Sequence, residues 1–495
     1  MVWDRGAGQE RLVEVGASEL GGVGRAPVGA QKTFRAYDPD QVLLISPVLS
    51  EWVPDGDLAH FVSDLVETGA LDLGALYASY EGERGQPPYD PRLMVKLLIY
   101  GYATGVMSSR RLEAGTYRDI ALRMLCADQH PDFRSIARFR ARHLDALAGL
   151  FVGALRLCRR AGLVGLGALA LDGTKLRANA SRHRAMSYDR MGPKAEQLAG
   201  EIAELEARMA ALLADAEALD ADEDEQFGAE RRGDELPAEL ARRETRLATI
   251  REAMAALEAE AHAAETERRA RLAEQAKTPR APRDGRDPFA PRPKAQRNFT
   301  DPDSKIMKTA DGAFHQCFNG QAIVDSRTQV IVAADAFEMA ADAPLLDPML
   351  DQLADNVAAI EGALPAGALL TADAGYFSEE NVDSAAEHGL DAYIATGRLK
   401  HGEPPEPTPD QPLAEDATPK QKMARKTKTE HGRAVYARRK AIVEPVFGQL
   451  DTTQDARRML IRGTPAARKQ WQFAGAIHNL LKLHRNGGLA LIATG

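Results

Sequence analysis

Apolar residues recur at the spacing of amphipathic helices from residue 37 to about residue 163. Pro91 follows an aspartate and marks a capped helix start, and the helical pattern that begins near residue 134 includes Arg138 and Arg142. An arginine-rich helix face is typical of an ordinary bundle with a solvated exterior, and also of a helix that contacts DNA. Residues 1–36 are glycine-rich and weakly patterned, and they predict a disordered extension.

Short apolar runs replace the helical pattern after residue 163 and predict buried strands. One run closes at Asp172 and another at Asp373, each followed by a turn with glycine. The other expected elements are a hairpin over 314–337 with its turn at 325–329, helices over 344–360 and 378–386, a strand over 391–396, and a loop over 398–429. This order predicts a mixed α/β sheet with helices on both faces.

Two heptad seams interrupt the strand pattern. Apolar residues alternate steps of four and three over 198–219 and again over 247–264. The acidic stretch between the seams contains glycine and proline, so the simplest prediction is an antiparallel helical hairpin. The pattern leaves open whether this hairpin binds a partner or is a passive spacer. Residues 278–297 are rich in proline and arginine and predict an extended linker.

A last helix, expected over 433–451, includes the acidic residue on which the functional hypothesis depends. Glu444 lies within the apolar pattern VEPVFGQL and is expected to share the buried side of the helix. A buried carboxylate is costly unless it is paired or binds a cation. Asp172 and Asp373, at the ends of two predicted strands, are its candidate partners. Three such carboxylates predict a site for a hard divalent cation, Mg²⁺, and a phosphodiester substrate.

The net charge of −9 argues against a nucleic-acid partner until its distribution is considered. Residues 201–265 hold 19 acidic and 7 basic residues, a local charge of −12 that leaves +3 for the rest of the chain. The segment 421–440 is strongly basic and leads into the Glu444 helix, which makes it a candidate for contacts with phosphates. The basic candidates here and in the loop after the Asp172 strand are Lys422, Arg425, Lys426, Lys428, Lys175, Arg177 and Arg182.

Cysteine usage and hydropathy bear on the compartment. Cys126, Cys158 and Cys317 lack paired spacing and predict core thiols in a reducing compartment, with no zinc site. No apolar run reaches the roughly 18 residues of a membrane span, and the N-terminus lacks the order of a signal peptide. We therefore expect a soluble, cytoplasmic protein that makes no membrane contact.

Six sequence blocks, taken together and in order, resemble the bacterial insertion-sequence DDE transposases of the IS-four/IS-five branch. The blocks are ALDGTKLRANAS, TDPDSKIMK, FNGQAIVD, ADAGYFSEEN, RRKAIVEPVFGQLD and RRMLIRGTPAARKQWQFAGAIHNLLKL. The resemblance runs from about residue 37 to residue 485. It implies a ribonuclease H-like core, a mixed sheet with flanking helices, which is interrupted by the helical insertion and preceded by an all-α DNA-binding domain.

The implied domains follow the pattern of the sequence. They are a disordered extension at 1–36, a helical DNA-binding domain at 37–163, the ribonuclease H-like catalytic domain at 164–190 and 298–485, the coiled-coil-like insertion and linker at 191–297, and a tail at 486–495.

The resemblance also implies an acid triad that matches Asp172, Asp373 and Glu444 as catalytic and metal-binding residues. It implies two Mg²⁺ ions, with Mn²⁺ as a substitute. Related transposases place a tyrosine and an arginine before the glutamate, which Tyr436 and Arg439 match approximately.

Those relatives also place a lysine about seven residues after the glutamate, where this chain has Asp451. Arg457, Arg458 and Arg462 are the candidates for the basic partner of the DNA end.

The implied function is that of a transposase that binds the ends of an insertion sequence, hydrolyses phosphodiester bonds and transfers the 3′-OH ends to target DNA. Double-stranded DNA is the expected partner, a homodimer is the expected active form, and the bound enzyme is expected at the nucleoid. Two alternatives stay open: a DNA-binding relative that has lost the chemistry, and a metal-dependent nuclease that cuts without joining.

Several polar or aromatic residues near these motifs are expected to be structural. We expect turns or caps at Asp301 and Asp303, hairpin turn or edge positions at Asp325 and Asp335, and core positions at His478 and Trp471.

Overall fold

The structure is a computed structural model that describes residues 2–6, 9–13, 48–78, 80, 87–181, 184–223, 235–274, 276–280, 282, 285–397 and 416–493. The chain divides into two units, Met1–Pro47 and Val48–Gly495. In the first unit, strands β1 (Val2–Gly6) and β2 (Gln9–Val13) pair antiparallel. This pairing differs from the disordered extension expected for residues 1–36, whose other residues lie outside the described ranges.

The second unit begins with a helical region. Its helices are α1 (Leu58–Glu67), α2 (Gly74–Tyr77), α3 (Pro91–Ala103), α4 (Ser109–Arg118), α5 (Ile120–Leu125), α6 (Phe133–Arg142) and α7 (Leu144–Arg160). Aspartate side chains accept the free N–H groups at the starts of α1, α3, α5 and α6. The helical pattern predicted for this part of the chain is confirmed.

Strands and further helices follow in alternation. The strands are β3 (Ala168–Arg177), β4 (Ala185–Ser187), β5 (Gln296–Asn298), β6 (Lys305–Lys308), β7 (Phe314–Asp325), β8 (Ile331–Phe337), β9 (Ala368–Ala372) and β10 (Leu390–Ile394). The helices are α8 (Tyr188–Glu223), α9 (Glu235–Glu274), α10 (Leu346–Ala359), α11 (Glu379–Glu387), α12 (Pro419–Lys428), α13 (Glu430–Thr452), α14 (Thr464–Arg485) and α15 (Ala490–Ala493).

The central sheet has the strand order β10–β9–β3–β7–β8, and β6 pairs with the far end of β7. Strands β3, β9 and β10 are parallel, whereas β7 is antiparallel to both β3 and β8. Three antiparallel strands followed by two that run parallel to the first form a ribonuclease H-like core. The predicted mixed sheet is confirmed, and β3 and β9, the strands that carry or precede Asp172 and Asp373, are neighbours.

Helix α14 joins the sheet to the helical region. It packs against α7 on one side and against β8 and β7 on the other. The approach is close at Gly475, where an added Cβ would lie 3.1 Å from the ring of Phe151 and 3.6 Å from Ala334. The helical region and the sheet therefore share one hydrophobic core within the second unit.

The insertion forms a separate small core. Helices α8 and α9 run antiparallel. Two contacts between them show this direction: Glu201 pairs with Arg243 at 3.0 Å, and the earlier Tyr188 donates to the later Glu258 at 2.6 Å. Strands β4 and β5 pair at its base. The buried apolar residues between the helices include Met191, Leu198, Leu247, Ile250 and Leu257. Leu198, Leu247, Ile250 and Leu257 belong to the predicted heptad seams, whereas Met191 lies before them. The apex at 224–234 lies outside the described residues.

Helix α12 lies in the stretch where the sequence predicted a loop. Thr418 and Gln421 form a reciprocal capping box and proline occupies the first turn, a helix-start signal that the charge-rich composition obscured. Residues 398–415 of the expected loop lie outside the described ranges. None of the described helices is long and apolar enough to cross a membrane.

Candidate active site

Two aspartates meet where the parallel pairing of β3 and β9 ends. Asp373 directly follows β9, as predicted, but Asp172 lies in the middle of β3, which continues through Gly173 to Arg177 instead of ending in a turn and loop after the aspartate. Strands β3 and β9 are parallel, and their pairing register extends to Ala170 and Thr371. Asp172 and Asp373 each lie two residues beyond this pair, so they occupy equivalent positions and point to the same side of the sheet. The two carboxylates are also close enough to repel each other, because the charge of Asp373 contributes to raising the pKa of Asp172. The register of β3 and β9 therefore brings these two acids together, as predicted.

Asp172 is held by two hydrogen bonds. Its Oδ1 accepts the backbone N–H of Gly173 at 2.8 Å, and its Oδ2 accepts Nη1 of Arg439 at 2.8 Å. Burial raises the pKa of the Asp172 carboxyl, and the Arg439 guanidinium and the Gly173 N–H act in the opposite direction. Arg439 lies on α13, which packs against β3 and β9. The helix therefore delivers a cationic group to the acid pair.

Asp373 lies at the start of a tight turn. Its Oδ1 accepts the N–H of Gly375 at 2.8 Å, at the beginning of a 3₁₀ turn over Ala374–Tyr376. Tyr376 is buried, and its hydroxyl donates to Oε1 of Gln321. Tyr436 on α13 is half-buried and belongs to the same site. Its ring lies 6.0 Å from the guanidinium carbon of Arg439.

The expectation that Glu444 shares the buried side of its helix is wrong. The Glu444 side chain is 64% exposed, and its nearest cation is Lys440 at 4.0 Å, one turn earlier on α13. The buried side of α13 consists instead of Ile442, Val443, Val446, Phe447 and Leu450. Glu444 follows two buried residues, and the 100° rotation per residue turns it out of their face.

Asp342, which the sequence analysis did not single out, also lies beside the acid pair. A Cβ added to Gly375 would lie 3.0 Å from Oδ1 of Asp373 and 3.3 Å from Oδ2 of Asp342. The residue precedes Ala343 and Pro344 after β8, a pattern typical of an ordinary helix start. The sequence pattern alone therefore gave no reason to distinguish Asp342 from an ordinary helix-capping residue.

The donor chemistry of the pair fits a hard divalent cation. Carboxylate oxygens are the ligands that Mg²⁺ prefers, and Arg439 favours the ionised form of Asp172 that such binding requires. Among the described residues, no group of three or more histidine, cysteine, aspartate or glutamate side chains is assembled closely enough to bind a metal ion. The structure thus brings together two members of the predicted triad, and the third is exposed on α13.

A basic cleft opens directly after Asp172 along β3. It has a volume of about 590 Å³ and includes Gly173, Lys175 and Arg177 in its wall. Arg457 and Arg458 also line the cleft, next to Arg177, whose backbone N–H donates to the carbonyl of Arg457 at 2.7 Å. Three acidic residues share this lining, and Arg457 pairs with one of them, Asp451, at 2.9 Å. Arg177 pairs with Asp311 at 2.9 Å. The acid at position 451 is therefore bound to one of the arginines considered as replacements for the missing lysine.

The predicted DNA contacts on α12 differ in their surroundings. Lys422 is exposed, and Arg425 and Lys428 are partly exposed. Lys426 instead donates to Asp391 and to the carbonyl of Ala392 at 2.7 Å, so its ammonium is bound to β10. This contact argues for a structural role of Lys426.

The other predicted contacts lie apart from the acid pair. Arg138 and Arg142 line a cleft of about 630 Å³ in the helical region, where the Arg142 guanidinium carbon lies 5.1 Å from the ring of Tyr80. Arg462 is exposed and donates to the carbonyl of Asn179 at 3.1 Å. Arg182 lies outside the described residues.

The residues expected to be structural have structural contacts. Asp301 and Asp303 accept N–H groups at the start of α14, and Asp325 accepts those of Gly165, Leu166 and Arg327. Asp335 pairs with Arg468 at 2.6 Å. His478 is buried, and burial lowers its pKa to about 4.

Comparison with known protein families adds a finding that is independent of this geometry. Residues 47–142 match the family described as Transposase domain (DUF772), and residues 288–480 match the family described as Transposase DDE domain. No individual curated protein and no solved structure matches the chain. The second match contains Asp373 and Glu444, whereas Asp172 precedes it on the other side of the insertion.

Proposed function

The chain belongs to the insertion-sequence DDE transposases, enzymes that cut and join DNA, and from this premise we propose that the face of the sheet with Asp172 and Asp373 is its catalytic site. The observation that supports this proposal is the equivalent position of the two aspartates, each two residues beyond the last paired residues of the parallel strands β3 and β9, with the Arg439 guanidinium bound to Asp172. Glu444 is the proposed third carboxylate, on the helix that packs against the same two strands.

The family uses divalent metal ions, which at such a site stabilise charge on the phosphate and activate water as a nucleophile. We propose Mg²⁺ as the ion, two per site, with Mn²⁺ as a substitute. Asp172 and Asp373 would supply carboxylate oxygens to hold them. Glu444 completes the ligand set from α13. This assignment uses oxygen donors throughout, as Mg²⁺ requires.

The remaining steps depend on groups of the chain that bind and orient DNA. The side chains of Lys175, Arg177 and Arg458, which line the basic cleft, are placed to neutralise phosphates next to Asp172. The 3′-OH freed by hydrolysis stays at the aspartate pair and attacks a target phosphate there; the new phosphodiester bond forms as the P–O3′ bond of the target strand breaks, which leaves a 3′-OH on the target. No covalent bond between protein and DNA is needed, because water and then the 3′-OH are the nucleophiles.

A homodimer is the proposed active form, since an element has two ends and each chain has one aspartate pair. Double-stranded DNA, as the two ends and the target, is the substrate. A two-to-two ratio of protein to end DNA, measured by light scattering of the complex, is the expected stoichiometry. A monomer that joins both ends would contradict it.

Cleavage of labelled duplexes with the element's own ends tests the proposed site. Wild type is expected to cut with Mg²⁺ or Mn²⁺, to stop cutting with chelator, and to leave a free 3′-OH. Asp172→Asn is expected to bind the same duplex with unchanged affinity and not to cut it. Cutting by Asp172→Asn at the wild-type rate would overturn the assignment.

A second substrate separates joining from cutting alone. A precut duplex that already has the 3′-OH end is expected to become linked to target DNA by wild type. Cleavage without this product identifies a nuclease. Binding without cleavage, with Mn²⁺ as well as Mg²⁺, identifies a DNA-binding relative that has lost the chemistry.

A further inference from the structure

Asp342 makes an unusual set of contacts for a residue at a helix start. It is the residue before the 3₁₀ turn Ala343–Leu345, but its side chain makes no capping hydrogen bond there. Its Oδ1 instead accepts Nδ2 of Asn319 at 2.7 Å and Nε2 of Gln321 at 3.3 Å. The ammonium of Lys175 lies 3.6 Å from the same oxygen. One carboxylate oxygen thus has donors from two strands of the sheet.

These contacts fix the orientation of the Gln321 amide. Its Nε2 donates to Oδ1 of Asn319 at 3.0 Å as well as to Asp342, so its Oε1 must point away from both. That oxygen accepts the hydroxyl of Tyr376. Burial and the nearby carboxylates raise the pKa of Tyr376 well above its ordinary value, and the phenol remains a donor. Tyr376 ends the turn that begins at Asp373.

The same amide pair supports the backbone next to Asp172. A Cβ added to Gly173 would lie 2.4 Å from Nε2 of Gln321 and 3.2 Å from Oδ1 of Asn319. Only glycine allows strand β3 to approach the amides this closely. Gly173 also donates its N–H to Oδ1 of Asp172. Gly173, directly after Asp172, and Tyr376, three residues after Asp373, therefore both lie against the side-chain amide of Gln321.

We propose that Asp342 is a positioning residue of the active site: it orients the Asn319–Gln321 amide pair, on which the Gly173 backbone and the Tyr376 turn place the carboxylates of Asp172 and Asp373. This inference rests on the proposed roles of those two aspartates. A carboxylate suits the position because the Asn319 and Gln321 amides and the Lys175 ammonium all approach its Oδ1. The residue acts through the amides and has no direct role in the chemical step.

Single-turnover cleavage of end duplexes at saturating Mg²⁺ measures the proposed effect in the full chain. Asp342→Ala is expected to lower the rate about a hundredfold, because a displaced catalytic group can cost that much. Asp342→Asn keeps an acceptor oxygen and is expected to restore most of the rate. Asp355→Ala, which removes an exposed carboxylate on α10, is the matched control. Asp172→Asn is included so that failure of the proposed site is recognised separately, by its continued cutting.

Two further measurements separate positioning from other roles. Hydrogen exchange in the metal-free protein is expected to become faster over residues 173–177 and 373–377 in Asp342→Ala, and to return towards wild type in Asp342→Asn. The Mg²⁺ concentration for half-maximal cleavage is expected to change little in either variant. Gln321→Leu is expected to reproduce the loss of rate, and it provides the test if Asp342→Ala does not fold.

Three results would overturn the proposal. One is an Asp342→Ala enzyme that cuts as fast as the Asp355→Ala control. Another is an Asp342→Asn enzyme no faster than Asp342→Ala that also needs more than about a hundredfold more Mg²⁺, a larger loss than an outer-shell residue typically causes, which would make Asp342 a metal ligand. The third is a Gln321→Leu enzyme with wild-type rate and wild-type exchange at both turns.

Discussion

Arg439 donates a hydrogen bond of 2.8 Å from Nη1 to Oδ2 of Asp172, and this contact joins helix α13 to the centre of the sheet. The two side chains are only 11% and 24% exposed. Each charged side chain therefore stabilises the other, since a largely buried ion without a partner costs free energy. The pair keeps Asp172 ionised at a position where burial by itself favours the protonated acid.

The stability of Arg439→Gln is expected to depend on pH. Without the guanidinium, the pKa of Asp172 rises further, and an acid with a raised folded pKa loses stability as the pH rises through that value. At neutral pH we expect the variant to have an unfolding free energy about 2 kcal/mol below wild type. The difference shrinks as the pH falls and Asp172 becomes protonated.

Chemical denaturation in the absence of divalent metal, at several pH values between neutral and acidic, measures this difference. Arg438→Gln, which changes an exposed arginine on the same helix, is the control and is expected to have little effect at any pH. A loss of stability in Arg439→Gln that is the same at all pH values would show that its origin is not the pairing with Asp172.

Glu444→Gln is expected to abolish cleavage and leave stability nearly unchanged. The carboxylate is 64% exposed, so its replacement removes no buried contact, and the unfolding free energy should change by less than about 0.5 kcal/mol. Glu430→Gln, at an exposed position in the first turn of the same helix, is the matched control and should cut normally. Normal cutting by Glu444→Gln would remove it from the proposed triad.

The succession of strands and helices along the chain could be predicted because each element has a local pattern, whereas the neighbours of each strand in the sheet could not be derived from that pattern. The apolar runs that reach Asp172 and Asp373 alternate with amphipathic helices, and the register of the parallel strands β3 and β9 places the two aspartates at equivalent positions. The shared core of α7 and α14 could not be predicted, because both helices have apolar sides and nothing local indicates which surfaces meet. Helix α12 was missed because charge-rich composition outweighed its capping box.

The acid pair of the site could also be predicted, but its surroundings could not. Glu444 was placed on the wrong side of α13, since the apolar pattern around it is broad enough to fit either side. Asp342 and its contacts with Asn319 and Gln321 depend on three segments that are distant in sequence. Contacts of this kind arise from tertiary packing and have no sequence signal of their own.

The basic residues of α12 are expected to bind DNA phosphates, with one exception. Replacing Lys422, Arg425 and Lys428 with glutamine should weaken binding of end duplexes and reduce the salt dependence, by about 0.9 in the log–log slope for each phosphate that is no longer neutralised. Lys426→Gln should leave the slope unchanged and lower the melting temperature, because its ammonium is bound to Asp391 and the Ala392 carbonyl. Binding measured over a range of salt concentrations distinguishes the two variants. An unchanged slope in the triple variant would mean that these side chains face solvent and do not contact DNA phosphates.

Trp471 is expected to stabilise the fold without contacting DNA. Its side chain is 1% exposed, its Nε1 donates to the carbonyl of Gln321 at 2.9 Å, and its ring is stacked on Phe447 with a centroid distance of 6.4 Å. Trp471→Ala should cost about 3 to 5 kcal/mol of unfolding free energy. Trp471→Phe keeps most of the apolar volume and should cost less, chiefly the absent hydrogen bond, which contributes about 1 kcal/mol.

The control for Trp471 is Trp52→Ala, which removes a tryptophan that is 39% exposed and should cost little stability. Thermal unfolding and affinity for end duplexes are measured on the same samples. We expect Trp471→Phe to bind DNA as tightly as wild type, because a ring this deeply buried cannot stack on a base unless α14 moves away from the sheet. Weaker DNA binding together with an unchanged melting temperature would instead mean that α14 opens and that the ring contacts the DNA end.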